Sequence, residues 1–376
     1  MIRFSKRILA VMLCLSMLLI PVTAAQNNDI AQQVDDTSAG LSALGGKAGT
    51  LLGKEDFPAG TSVCDWVAMS LALRGGAENF EGYLHDLEAY VETCYAEDGG
   101  LDRVKSTTYH RIALVALALG ADPESFGTKP DGTVIDLIAD GTYAFAGDSV
   151  GAQGLNGWIY ALLALDASGA AVPENAKFTR VDMVEAIVAA QEPDGGFGLV
   201  SGKSDVDITA MALQALAPYQ LAHPEVIQGA LAYLSGTMND NCRYTAYGEE
   251  SAESSAQVIL ALCALGIDPD TDSRFCRGSD TLLTGLDAFR QKDGTYGHTK
   301  EDTQGNYLAT AQTLLALKAV QKLRSGEGWI FDFTDYEGPQ QKTQQATAYA
   351  AIAIAAILII CIVIAGKRKK HGKNNR

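Results

Sequence analysis

The chain has 376 residues, 45 acidic against 29 basic, and is 47% hydrophobic but only 7% aromatic. Nine of the basic residues lie in its two ends, leaving 20 against the 45 acids that run from Asp29 to Glu337, a net charge near −25. Such a field repels nucleic acid and anionic lipid headgroups, and no basic patch offsets it, so nucleic-acid binding is excluded.

Residues 1–25 read as a secretory signal. Arg3, Lys6 and Arg7 form a basic start, Ile8 to Ile20 an apolar run too short to span a bilayer, and Pro21-Val22-Thr23-Ala24-Ala25 a small-residue cleavage site. From residue 26 to 325 the chain then alternates two kinds of half-repeat. One is amphipathic and ends in an Asp/Gly turn. A glycine-interrupted copy spans Asn28 to Leu52, and clearer copies are Phe80 to Gly100, Asp131 to Gly141, Thr179 to Gly198, Pro224 to Asp240 and Ser279 to Gly297. The other is Ala/Leu-rich, of the form A-x-A-L-x-A-L, at Trp66 to Gly75, Ile112 to Gly120, Trp158 to Leu165, Thr209 to Ala217, Ala256 to Gly266 and Thr310 to Val320. These segments are apolar on nearly every side, which suits a layer packed on both faces. Six of each kind predict an all-α fold, an α6/α6 double-layered helical toroid. An open solenoid of the same hairpins is the competing arrangement.

Beyond the repeats, residues 326–345 read as a stalk. Ala346 to Ala365 carries no charge and, at about 1.5 Å per residue, matches the roughly 30 Å hydrocarbon core of a bilayer. Lys367, Arg368, Lys369, Lys370, Lys373 and Arg376 follow, which places the 367–376 tail in the cytoplasm. Gly338 to Thr343 reads GPQQKT rather than an LPxTG-type sorting sequence. The expectation is a single-pass cell-membrane protein, anchored through residues 346–366 with its ring outside.

Two motifs carry a resemblance. Gln191-Glu-Pro-Asp-Gly195-Gly-Phe197, with Gln291-Lys-Asp-Gly294-Thr-Tyr296 as a shortened copy, resembles the QW repeat of squalene cyclases, in which the Gln side chain and the aromatic ring lock successive outer helices together. Asp205-Val206-Asp207-Ile208-Thr209-Ala210 resembles the DxDDTA segment of class II terpene cyclases, whose middle Asp protonates an alkene. The likeness covers about residues 30 to 325 and points to the terpenoid cyclase/protein prenyltransferase α/α toroid family, in a bacterial exported form. The middle position, Asp207, is kept, while Ile208 replaces the third Asp. Alkene protonation needs a carboxyl held neutral in a dry pocket. Helix-start chemistry is the other role open to this segment, with Ser204 or Asp205 as cap and Asp207 favouring the positive helix end.

The rim where the inner helices begin offers Trp66, Tyr109, His110, Trp158, Asp205 and Tyr307 as candidate ligand contacts, beside Asp207 and Glu253 as candidate catalytic groups. Asp240-Asn241-Cys242 has the Asp-x-Cys spacing of the prenyltransferase zinc set. No His falls near Tyr307-Leu308-Ala309 to complete it, and His85, His110, His223 and His298 stand singly. Neither metal nor cofactor is expected. Five cysteines lie within the repeats. In a ring, Cys64 and Cys94 share one rim, and Cys263 and Cys276 the other, so each pair is a disulfide candidate and Cys242 is left over.

These features predict a cell-surface module that binds an extracellular small molecule or glycan without catalysis. The alternatives are a class II cyclase-like enzyme with Asp207 as general acid, corrinoid capture on the similar ring of transcobalamin and intrinsic factor, and glycan cleavage by Asp207 and Glu253.

Overall fold

Residues 29–339, apart from 48 and 247, are described by the computed structural model. Twelve helices occur among them: α1 (29–43), α2 (Ser62–Arg74), α3 (Phe80–Asp98), α4 (Ser106–Ala118), α5 (Leu137–Gly141), α6 (Leu155–Ser168), α7 (Arg180–Ala189), α8 (Val206–Leu216), α9 (Pro224–Thr237), α10 (Ala252–Ala264), α11 (Leu282–Asp287) and α12 (Tyr307–Ser325). The even-numbered helices form the inner layer and the odd-numbered ones the outer. Each inner helix packs on the next, and α12 packs on α2, so the inner layer closes into a ring and is not a solenoid.

Composition explains the two layers. In α10 every residue from Ser254 to Cys263 is buried, because neighbours flank it on both sides and α11 backs it. In α3 the buried set is Phe80, Tyr83, Leu87, Val91 and Tyr95, a single stripe at helical spacing with acidic residues opposite. Side-chain caps fix the starts: Asn79 for α3, Asp205 for α8, Ser251 for α10, Asn306 for α12, and a Thr179–Asp182 capping box for α7.

The Gln-to-aromatic motif does the locking its resemblance implies. Gln191 Nε2 donates to the Gly195 carbonyl at 2.9 Å and to Val226 at 2.8 Å, tying the end of one outer hairpin to α9. Phe197 is fully buried, and its N–H donates to Thr209 Oγ1 of α8 at 2.8 Å. In the second copy Tyr296 N–H meets Thr310 Oγ1 of α12 at 3.0 Å. Gln291 Nε2 instead reaches the Asp302 carbonyl at 2.9 Å, within its own loop. The glycines share a second duty. Gly195 and Gly294 both have positive φ, 87° and 85°, and a Cβ there would lie 2.5 Å from the Gly229 carbonyl and 2.6 Å from that of Asp36. The second contact joins the last outer hairpin to α1 and closes the outer layer.

Three details depart from the expectation. Short antiparallel hairpins decorate the helices: Phe197–Val200 with Lys203–Asp205, Thr245–Ala246 with Glu249–Glu250, and Cys276–Arg277 with Asp280–Thr281. The start of the predicted stalk is no spacer. Ile330, Phe331 and Phe333 are buried, Tyr336 O–H donates to the Ala72 carbonyl at 3.1 Å, and Gly338 lies against Gly120 beyond the end of α4. Residues 326–339 therefore fold beneath the C-terminal ends of α2 and α4 and cover that rim. Finally, all five described cysteines are free thiols, so neither candidate pair is bridged. Cys263 is walled into the ring, while Cys276 Sγ points to the Asp270 and Asp272 carbonyls of its own loop, at 3.5 and 3.3 Å.

The expected signal (1–25), anchor (346–366) and tail (367–376), with the last part of the stalk, lie outside the described residues. Among the described residues no helix is long and apolar enough to cross a membrane.

Candidate functional site

Residues one turn apart on a helix share a face, and the N-terminal turns of the inner helices use this rule to build a bore. The second and sixth residues of α8 are Asp207 and Met211, those of α10 are Glu253 and Gln257, and those of α12 are Leu308 and Gln312. All six line one cavity of about 370 Å³, together with Trp66 of α2, Tyr160 of α6 and His298 from the loop before α12.

Its walls are of two kinds. On one side Trp66 and Tyr160 meet edge to face, ring centres 6.3 Å apart, and Tyr160 O–H points at Met211 Sδ, 3.1 Å away. Across the bore an amide ladder runs over three consecutive inner helices. Gln214 Nε2 donates to Gln257 Oε1 at 2.9 Å, and Gln257 Nε2 donates to Gln312 Oε1 at 3.3 Å. At the mouth, Glu253 Oε2 lies 2.8 Å from His298 Nδ1, and the loop carrying His298 is pinned by a 3.0 Å bond from Ala252 N–H to the His298 carbonyl.

Asp207 stands between the aromatic wall and the acidic mouth. Burial pushes its carboxyl up to about 6, the Asp205 and Glu253 carboxylates add to the rise, and the Ser254 hydroxyl opposes it. Its Oδ1 is shut from solvent and has no hydrogen-bond partner among the described residues. The cap is Asp205, which accepts from Ile208 N–H at 3.0 Å. One segment thus divides its labour: Asp205 closes the helix, and Asp207 presents a carboxyl of raised proton affinity to the cavity. Ile208 is buried away in the core.

Three of the eight residues singled out in the sequence, Asp207, Glu253 and Trp66, line this cavity. The other five do not. Tyr109 is in the core, its hydroxyl accepting from Leu101 N–H at 2.9 Å. His110 is buried with Nε2 2.6 Å from the Gly141 carbonyl, and desolvation lowers it to about 4, so it is a neutral core histidine. Trp158 packs on Phe178, ring centres 5.5 Å apart. Asp205 is spent on capping, and Tyr307 packs on Phe57 at 5.6 Å. They flank the bore positions on the helical wheel and turn towards neighbouring helices or loops. Sequence reasoning missed Tyr160, Met211, Gln257, Gln312 and the pairing of His298. The legible signal was register: the position four residues after Asp207 and Glu253. Among the described residues no cluster of three or more His, Cys, Asp or Glu fit to hold a metal ion occurs.

No protein-family model matches the chain. It is similar to a drimenyl diphosphate synthase from Streptomyces showdoensis, 23% identical over 248 residues, which is 65% of this chain. The chain spans about half the length of that curated relative, since the match covers 46% of it. In structure it is similar to a type II terpene cyclase from Scytonema, solved in complex with geranylgeranyl dihydroxybenzoate, at TM-score 0.49 and 15% identity, covering 80% of this chain and 99% of that one. The synthase match corrects the expectation of a module without catalysis, because the sequence likeness falls on an enzyme.

Proposed function

We propose that the chain is a cyclase-like enzyme that starts carbocation chemistry by protonating an isoprenoid alkene, with Asp207 as the general acid. One observation carries the reading: a carboxyl raised to about 6, with a buried and unpartnered oxygen, facing an aromatic-walled cavity. In the step, the Asp207 O–H bond breaks as its proton forms a C–H bond with the less substituted alkene carbon. The π pair supplies that bond and leaves a cation on the other carbon. Trp66 and Tyr160 offer ring faces and edges around that charge, and a cation over an aromatic face gains up to about 2 kcal/mol once desolvated. Ring closure by further alkenes passes the cation along the chain, each π pair forming a C–C bond and leaving the charge on the next carbon, and loss of a proton to water or a neighbouring carboxylate ends the sequence. A volume of about 370 Å³ lies within the usual range for small-molecule sites.

The two ends of the sequence support an exported enzyme held in the cell membrane through residues 346–366, its ring outside and residues 367–376 inside. Protease treatment of intact cells tests this, since an outward ring is degraded and an inward one survives. The catalytic reading is tested by incubating the purified full chain in D₂O with farnesol, farnesyl diphosphate and squalene. One deuterium fixed in a cyclised product, and lost in Asp207→Asn, is the expected result. Unchanged turnover in Asp207→Asn removes the proposal.

A further inference from the structure

We infer that the cavity takes an uncharged isoprenoid rather than an isoprenyl diphosphate. The inference rests on the cyclase reading above, and it departs from the substrate class suggested by the name of the similar synthase.

The charge on the cavity wall carries the argument. Asp207, Glu249 and Glu253 all face the space, and among the described residues no lysine or arginine does. His298 is the one basic lining group there, and it already faces Glu253 at 2.8 Å. On adjoining loops Arg243 and Lys300 both reach Glu250, at 2.9 and 3.4 Å, and Arg111 of α4 is bound to the buried Asp65 at 2.9 Å. A diphosphate entering this mouth meets carboxylates with no counter-charge.

One competing effect points the other way. Helix N-termini attract anions, and α8, α10 and α12 all begin at this mouth. Those positive ends are already used. Asp205 caps α8 and Asp207 sits in its first turn, Ser251 caps α10 with Glu253 in its first turn, and Asn306 caps α12 by accepting from two backbone N–H groups. The dipoles are answered by the protein's own groups, and the acidic field remains. The same field that repels a diphosphate stabilises a carbocation made from an uncharged chain.

The test is equilibrium binding to the full-length Asp207→Asn chain, so that no turnover intervenes, read by intrinsic tryptophan fluorescence with Trp66→Phe as the site control. The probes are farnesol and farnesyl diphosphate, each with and without magnesium. Farnesol is expected to bind at least tenfold more tightly, with the gap narrowing as salt screens the mouth. Glu249→Lys, which reverses one of the charges facing the space, is expected to strengthen diphosphate binding severalfold. Diphosphate binding equal to or tighter than farnesol, with or without magnesium, overturns the inference and leaves the cyclase reading standing. Failure of both probes to perturb Trp66 overturns both.

Discussion

Arg290, just beyond α11, grips Asp36 of α1 at 2.9 Å across 254 positions of sequence. The pair straddles the seam where the ring closes, beside the approach of Gly294 to the Asp36 backbone. A half-exposed pair of this kind is worth about 0–1 kcal/mol, so the seam rests on packing rather than charge. Arg290→Ala is therefore expected to cost no more than about 1 kcal/mol. Gly294→Ala combines a positive φ with a backbone clash and is expected to cost about 2–4 kcal/mol. Urea unfolding of the two variants checks the order, and a larger loss from Arg290→Ala contradicts it.

The proposed general acid, Asp207, carries a cost in stability. Its folded carboxyl titrates near 6, above its value of about 3.8 in an open chain. Because the folded pKa is the higher one, the group is neutral and free of penalty below about pH 4. It becomes a growing cost as pH climbs through 6. Asp207→Asn is thus expected to stabilise the fold by about 1–3 kcal/mol at pH 8 and by nothing at pH 4, while turnover is lost. Wild-type turnover is expected to fall tenfold per pH unit above about 6. Thermal unfolding and rate profiles across pH 4 to 8 decide this, and a pH-independent difference in stability rules it out.

The amide ladder makes Gln257 the most costly of its three members to lose. It is 8% exposed and both accepts from Gln214 and donates to Gln312. Gln257→Leu leaves the buried Gln214 donor only the long 3.5 Å contact to the residue 257 carbonyl and is expected to cost about 1–3 kcal/mol. Gln312→Leu, at the half-buried end of a longer bond, is expected to cost less than half as much. Equal losses show that the ladder does not act as one connected unit.

The covering of the far rim is tested by truncating its anchor. Phe331 is 3% exposed, and Phe331→Ala is expected to cost about 3–5 kcal/mol. Tyr336→Phe removes the bond to the Ala72 carbonyl and is expected to cost about 1 kcal/mol. Were this segment a free spacer, calorimetry on either variant would show no change in Tm.

The six hairpins and the two layers were legible in the chain because each depends on local pattern. Two-sided and one-sided apolar helices read directly from Trp158 to Leu165 against Phe80 to Tyr95, and the Gln191-to-Phe197 motif has a fixed span. The identity of the bore residues was not legible. An inner helix apolar all round carries no stripe to distinguish the side facing the bore from the side facing the outer layer, so Tyr109 and Trp158 read as rim contacts like Trp66 until neighbours were in place. The same holds for His298 and Glu253, 45 residues apart, which meet only because a loop is pinned to the start of α10. The segment from Trp329 to Tyr336 passed for a spacer because its aromatics alternate with charges, and only the exposed rim of a closed ring gives them a surface to cover.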